Sequence, residues 1–243
     1  VRDAFGGALL TTTPLAEVLE SRGVDFFGVS SGSPGAGFLM NPTGAGAGLV
    51  HHEYALPDTL EAVALKVLGS VPELAGADSY VPLAVRAVDA VLEIGIDRTN
   101  ARVLAVWLTE PDHSTHALGI GAPGTVEILR MVDAEIGRLL DGLAQRGLLA
   151  STDVLVTSDH GFSTRTGSAS LMRLLVDNGL KASSASADVI VAGDAIHVNE
   201  GGRARVRGIV ERLQQTEWIG AVFTRGEPGS DLGWVDGTLS FSS

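Results

Sequence analysis

Apolar positions along the chain follow two rhythms. Residues 125–143 carry Val126, Leu129, Val132, Ile136, Leu139 and Leu143 at three- and four-residue intervals, the spacing that lines one face of a helix. Residues 80–93 repeat the pattern through Val81, Val85, Val88 and Leu92. Shorter helices are predicted over 15–22, closed by Gly23, and over 60–68, 170–178 and 206–215. Between them lie short apolar runs. Residues 103–108 (VLAVWL) form an unbroken one, predicting a strand buried on both faces of a parallel sheet. Residues 24–30, 153–157 (DVLVT), 189–192 and 221–224 read as further strands. Residues 31–48, rich in Gly, Ser, Pro and Ala, read as a long loop bordering the site.

The strand–helix–strand run over 103–157 predicts two parallel strands joined by a right-handed crossover. Alternation of this kind predicts an α/β fold, a mainly parallel sheet flanked by helices on both faces. No internal repeat or linker interrupts the pattern, so one domain over residues 1–243 is expected.

Composition narrows the chemistry. Hydrophobic residues make up 45% of the 243, enough for a real core. The net charge of −12, from 17 basic against 29 acidic residues, argues against a nucleic acid polymer as partner. It leaves room for a small phosphorylated substrate whose charge is met by bound cations. No apolar run is long enough for a membrane span. With no cysteine, disulfide and thiolate chemistry are excluded, and any metal must be held by His and carboxylates.

Two stretches carry such ligands. After the 103–108 strand comes Glu110-Pro111-Asp112-His113-Ser114-Thr115-His116, and after the 153–157 strand comes Ser158-Asp159-His160-Gly161-Phe162. Each sets an Asp and a His past the carboxyl end of a predicted parallel strand, the edge where open α/β sheets bind ligands. Asp112 and His116 stand four apart, one helical turn, and can aim at one ion. Asp159 and His160 are adjacent and share an ion only if the chain turns there, which Gly161 permits. Taken alone, either stretch reads as well as an ordinary hydrogen-bonded loop as it does as a metal site. Four ligand-type residues at two neighbouring strand ends are hard to read as packing, so Asp112, His116, Asp159 and His160 are the candidate metal ligands. His113 reads as a solvated or supporting residue. His51, His52 and His197 read as structural, and Thr11 to Thr13 as a loop with a capping role. The Gly-rich stretch 28–37 matches neither a dinucleotide fingerprint nor a P-loop, which sets aside a dinucleotide-dependent oxidoreductase.

The segments EPDHSTHALGIGAP and VTSDHGF resemble the PDxxxH…GP and SDHGM stretches of the type I phosphodiesterase/nucleotide pyrophosphatase family, in the alkaline phosphatase superfamily. RGVDFFGVSSGSPGAGFLMNP resembles the strand and loop after the nucleophile in its bacterial members. The resemblance runs from about Leu15 to Thr224 and implies an alkaline phosphatase-like fold. It implies two divalent ions, zinc by family habit, with Asp112 and His116 on one and Asp159 and His160 on the other. It further implies two-metal hydrolysis of phosphodiesters or nucleotide pyrophosphates. The family's N-terminal Asp ligand, its Thr or Ser nucleophile and its late His ligand find no match here, so the domain is expected to be incomplete at both ends and the nucleophile is unassigned. A phosphomonoesterase on the same scaffold, or a non-catalytic binding domain with half a site, are the alternatives.

Overall fold

A computed structural model describes residues 10–74, 80–164 and 169–241. The chain divides into two compact units at Thr164–Arg165, each treated by itself below.

The first unit is organised on strand β1 (Phe26–Ser30). All five of its residues are buried, as befits a strand covered on both faces. It pairs in parallel with β2 (Gly48–His51), Ser30 opposite His51, and with β4 (Val103–Trp107), Ser30 opposite Trp107. The short β3 (Ala55–Leu56) adds antiparallel to β2, giving the order β3-β2-β1-β4. Helices flank this mostly parallel sheet: α1 (Leu15–Glu20), α2 (Pro34–Met40), α3 (Thr59–Leu68), α4 (Val81–Ala90), α5 (Asp112–Leu118) and α6 (Pro123–Gln145). The fold class is therefore α/β, as the alternation predicts. Phe27, Val29, Val50, Ala87 and Ile94 form the centre of the core. Burying one such aromatic or aliphatic side chain contributes on the order of 1.5–3 kcal/mol.

Helix α4 runs on into a π-helical turn, Val91–Ile96. Gly95 in that turn lies against the sheet: a Cβ there would come within 2.6 Å of Phe27 and 2.8 Å of Leu104. The missing side chain thus sets how closely the helix approaches β1 and β4.

In the second unit, α7 (Leu171–Asp177) and α8 (Gly202–Gln214) pack with a hairpin of β5 (Val189–Ala192) and β6 (Ala195–Val198). A two-residue parallel pair, β7 (Phe223–Thr224) and β8 (Leu239–Ser240), completes it. Leu175, Val189, Ile209 and Leu213 make its core. Beside that core sits a buried polar knot. Lys181, 2% exposed, donates to the carbonyls of Ser186 and Val189. The Asp188 carboxylate accepts from Ser186 Oγ at 2.5 Å, Ala182 N at 3.1 Å and Arg205 at 2.5 Å. The Ser186 hydroxyl, then the Ala182 and Val189 amides and the Arg205 charge, hold Asp188 well below the usual carboxylate range.

Several expectations fail here for definable reasons. Residues 31–48 are not one loop, because α2 forms inside them: Ser33 Oγ accepts from Ala36 N at 3.3 Å and Pro34 opens the helix, a local cap strong enough to outweigh the glycines. Strands β2 and β3 are not among the predicted strands, because β2 (GLVH) begins at the end of the Gly-rich stretch with no longer apolar run to mark it and β3 has only two residues. Residues 153–157 are not a strand. They lie exposed, Leu155 at 92% and Val156 at 70%, because an apolar run becomes a strand only with a neighbour to complete its hydrogen bonds. The expected parallel partner of 103–108 is instead β1. Strand β4 is only half buried and Trp107 is exposed; the described residues place a strand on one of its edges only. The cap of α1 is Pro14, without a side-chain bond, so Thr11 to Thr13 do not cap it.

Two outcomes follow. In urea unfolding, Gly95→Ala loses about 1–3 kcal/mol through overpacking, whereas Gly137→Ala, at an α6 position with open space, gains about 0.5–1 kcal/mol from helix propensity. Because the native Asp188 value is depressed, its stabilisation is fully present above the ordinary carboxylate range and drains away as pH falls below it. Asp188→Asn therefore lowers the thermal midpoint at neutral pH, and flattens its acid-side decline in melts followed from pH 7 to pH 3.

Candidate metal centre

The site grows out of the carboxyl end of β4. Ser31 N and Oγ both donate to the Trp107 carbonyl, at 3.0 and 3.2 Å, and Thr109 N donates to Ser31 Oγ at 3.1 Å. These bonds tie the ends of β1 and β4 into one rim. At Gly32 a Cβ would lie 3.1 Å from the Trp107 and Thr109 side chains, so any larger residue there would push against them. The chain then passes through Glu110 and Pro111 into α5. Thr115 Oγ1 donates to the Pro111 carbonyl at 2.6 Å. At the far end, Thr125 Oγ1 at the head of α6 donates to the Gly119 carbonyl at 2.9 Å.

Helix α5 sets Asp112 and His116 one turn apart, with Oδ1 3.6 Å from Nε2. The second stretch returns to the same place. His160 Nε2 lies 3.8 Å from Asp112 Oδ1 and 3.6 Å from Asp159 Oδ2. All four sequence-derived candidates are thus brought together, and Asp112 lies between the two imidazoles. The chain bends at Asp159 rather than at Gly161: Asp159 Oδ1 accepts from His160 N at 3.0 Å, and Ser158 Oγ donates to the His160 carbonyl. His160 Nδ1 lies 3.0 Å from the Gly161 carbonyl. A carbonyl can only accept, so Nδ1 is the donor in that contact, and Nε2 is the ring nitrogen that faces the two carboxylates. The Phe162 ring meets both imidazoles edge-on, with centroids 5.1 Å from His116 and 5.6 Å from His160.

The donor chemistry suits zinc. Two N or O ligands about 2.0–2.2 Å from one tetrahedral ion stand about 3.4 Å apart, near the 3.6 and 3.8 Å seen. Among the described residues, no group of three or more His, Asp or Glu closes on one ion position. The fit is therefore to pairs of ligands.

Other candidates resolve otherwise. His51 is 5% exposed; its Nε2 donates to the Gly32 carbonyl at 2.9 Å and its Nδ1 accepts from Glu53 N at 3.1 Å, so both nitrogens are used in holding the rim. Burial, and then the adjacent His51 ring, push His52 below the ordinary imidazole value. His197 stands exposed on β6. His113 packs edge-on against Tyr80, centroids 4.5 Å apart. Sequence reasoning passed over Glu110. It is 3% exposed and accepts from Tyr80 N at 2.8 Å, Ser114 N at 3.1 Å and Ser114 Oγ at 2.7 Å. Its place just ahead of the ligand helix was the available signal. No helix among the described residues is long and apolar enough to cross a membrane.

Known proteins bear on this geometry. Over 56 residues the chain is 34% identical to ectonucleotide pyrophosphatase/phosphodiesterase family member 3 of Bos taurus, covering 23% of the chain and 6% of that protein. Over 62 residues it is 32% identical to family member 7 of Homo sapiens, covering 26% of the chain and 14% of that protein. Over 99 residues it is 25% identical to venom phosphodiesterase 2 of Crotalus adamanteus, covering 40% and 12%. The matched stretches thus span a small part of each relative. No solved structure matches significantly. The profile of the type I phosphodiesterase/nucleotide pyrophosphatase family matches residues 33–221, across both units, and the chain belongs to that family.

Proposed function

We propose that Asp112, His116, Asp159 and His160 hold two divalent ions, zinc by their donor chemistry, in a hydrolase of phosphodiesters or nucleotide pyrophosphates. The observation that carries this reading is the meeting of Asp112 and His160 at 3.8 Å. Two stretches more than forty residues apart deliver ligand atoms to one spot. The names of the relatives support the substrate class: they are phosphodiesterases and nucleotide pyrophosphatases. The family match across both units supports taking them as parts of one hydrolase domain.

In this reading Asp112, His116, Asp159 and His160 would hold the ions, which when bound would supply positive charge to a phosphoryl group and to an attacking oxygen. The protein's own residues supply the rest. The Gly161 carbonyl keeps the His160 proton on Nδ1, which leaves Nε2 free as a ligand. Phe162 packs edge-on against both imidazoles, which limits their rotation. With an acidic chain of net charge −12, a small phosphorylated substrate needs such local positive charge to bind at all.

Isothermal titration with Zn2+ tests the ligand set. Asp112 Oδ1 faces both imidazoles, so Asp112→Ala lowers affinity by about 100-fold or more, beyond the 10–100-fold loss typical of outer partners. Asp159→Ala costs less. Equal, negligible losses in both variants would remove the reading. No residue of this chain matches the family nucleophile, so the chain alone, supplied with Zn2+, is expected to leave bis-p-nitrophenyl phosphate intact. Metal-dependent release of nitrophenol would contradict that, and comparing p-nitrophenyl phosphate in the same assay separates monoesterase from diesterase action.

A further inference from the structure

We propose that Glu110 is a positioning residue, a buried carboxylate clamp that sets the direction of the ligand helix α5; this rests on the metal reading above. The need for a clamp comes from exposure. The side chains of Asp112 and His116 are 50% and 71% exposed, so little packing holds them. Their aim must come from the backbone that bears them, and α5 is only seven residues long, too short to be stable by itself.

Glu110 supplies what the helix lacks. One carboxylate oxygen accepts from both Ser114 N and Ser114 Oγ, so the clamp closes around Asp112, from two residues before it to two after it. The other oxygen accepts from Tyr80 N, which fastens the start of α5 to the head of α4, thirty residues away in sequence. All three donors are neutral. A carboxylate that is 3% exposed pays a desolvation cost that neutral donors offset only in part. Only a full carboxylate accepts at both ends with no donor of its own, and this geometry requires acceptors at both ends.

Glu110→Gln tests this directly, since it keeps shape but turns an NH2 toward one set of donors. Zn2+ titration and amide hydrogen exchange are read on the same protein, alongside Ser114→Ala, which removes one donor only. The expected result for Glu110→Gln is a Zn2+ affinity lower by about tenfold or more, with faster exchange at residues 112–118 in the metal-free protein and unchanged exchange in β1. Ser114→Ala shows the same changes to a smaller degree. Unchanged affinity in Glu110→Gln, with the parent chain binding Zn2+, would overturn the proposal. Faster exchange throughout β1 would reduce Glu110 to a general stability residue and overturn it too. If the parent chain binds no Zn2+, the metal reading fails. The clamp is then judged on exchange alone: local acceleration at 112–118 sustains it, and none refutes it.

Discussion

The parallel pairing of β1 with β4 is the constraint from which the site follows. Register places Ser30 opposite Trp107, so both strands end at one rim, where Ser31 joins them through the Trp107 carbonyl and Thr109. The proposed ligand residues hang from that rim. α5 leaves it directly, and the long α6 brings the chain back so that His160 meets Asp112. Were the ladder shifted by one residue, every side chain of β4 would change face and α5 would leave in another direction.

Around this rim the molecule divides its labour between buried and exposed groups. The polar atoms that fix geometry are buried: Ser31, His51, Glu110 and Ser114 are each no more than 5% exposed, and each spends its hydrogen bonds on backbone or on another member of the set. The groups assigned to chemistry are open to solvent. Such a division fits a site that receives a charged small molecule. Ligand side chains stay accessible, while the scaffold behind them is held by bonds that water cannot contest. Phe162 belongs to both groups, 39% exposed yet in contact with two imidazoles.

The apolar run at 153–157 shows the limit of pattern. Its residues have the composition of a strand, yet Leu155 is 92% exposed and no ladder forms. A β-strand is a property of a pair of segments, and hydrophobicity in one of them supplies only half of the condition. Helix α6 is the opposite case. Its periodicity stands in one segment and its hydrogen bonds close within that segment, so it was legible to within two residues, Pro123–Gln145 against 125–143.

What the sequence by itself determined was therefore local and chemical. It specified the α/β alternation, the long helices, the exclusion of thiolate chemistry and the four His and Asp ligand candidates, because residue type and short-range spacing suffice for each. The tertiary structure alone decided the strand order, the helix inside 31–48, the use of both His51 nitrogens in the rim, and the part of Glu110. Those depend on partners between two and seventy-eight positions away, as with His51 and Glu53 and with Ser31 and Thr109, and on burial, which no single stretch of sequence records. A carboxylate reads the same on paper whether it faces water or three buried donors; only the fold tells them apart.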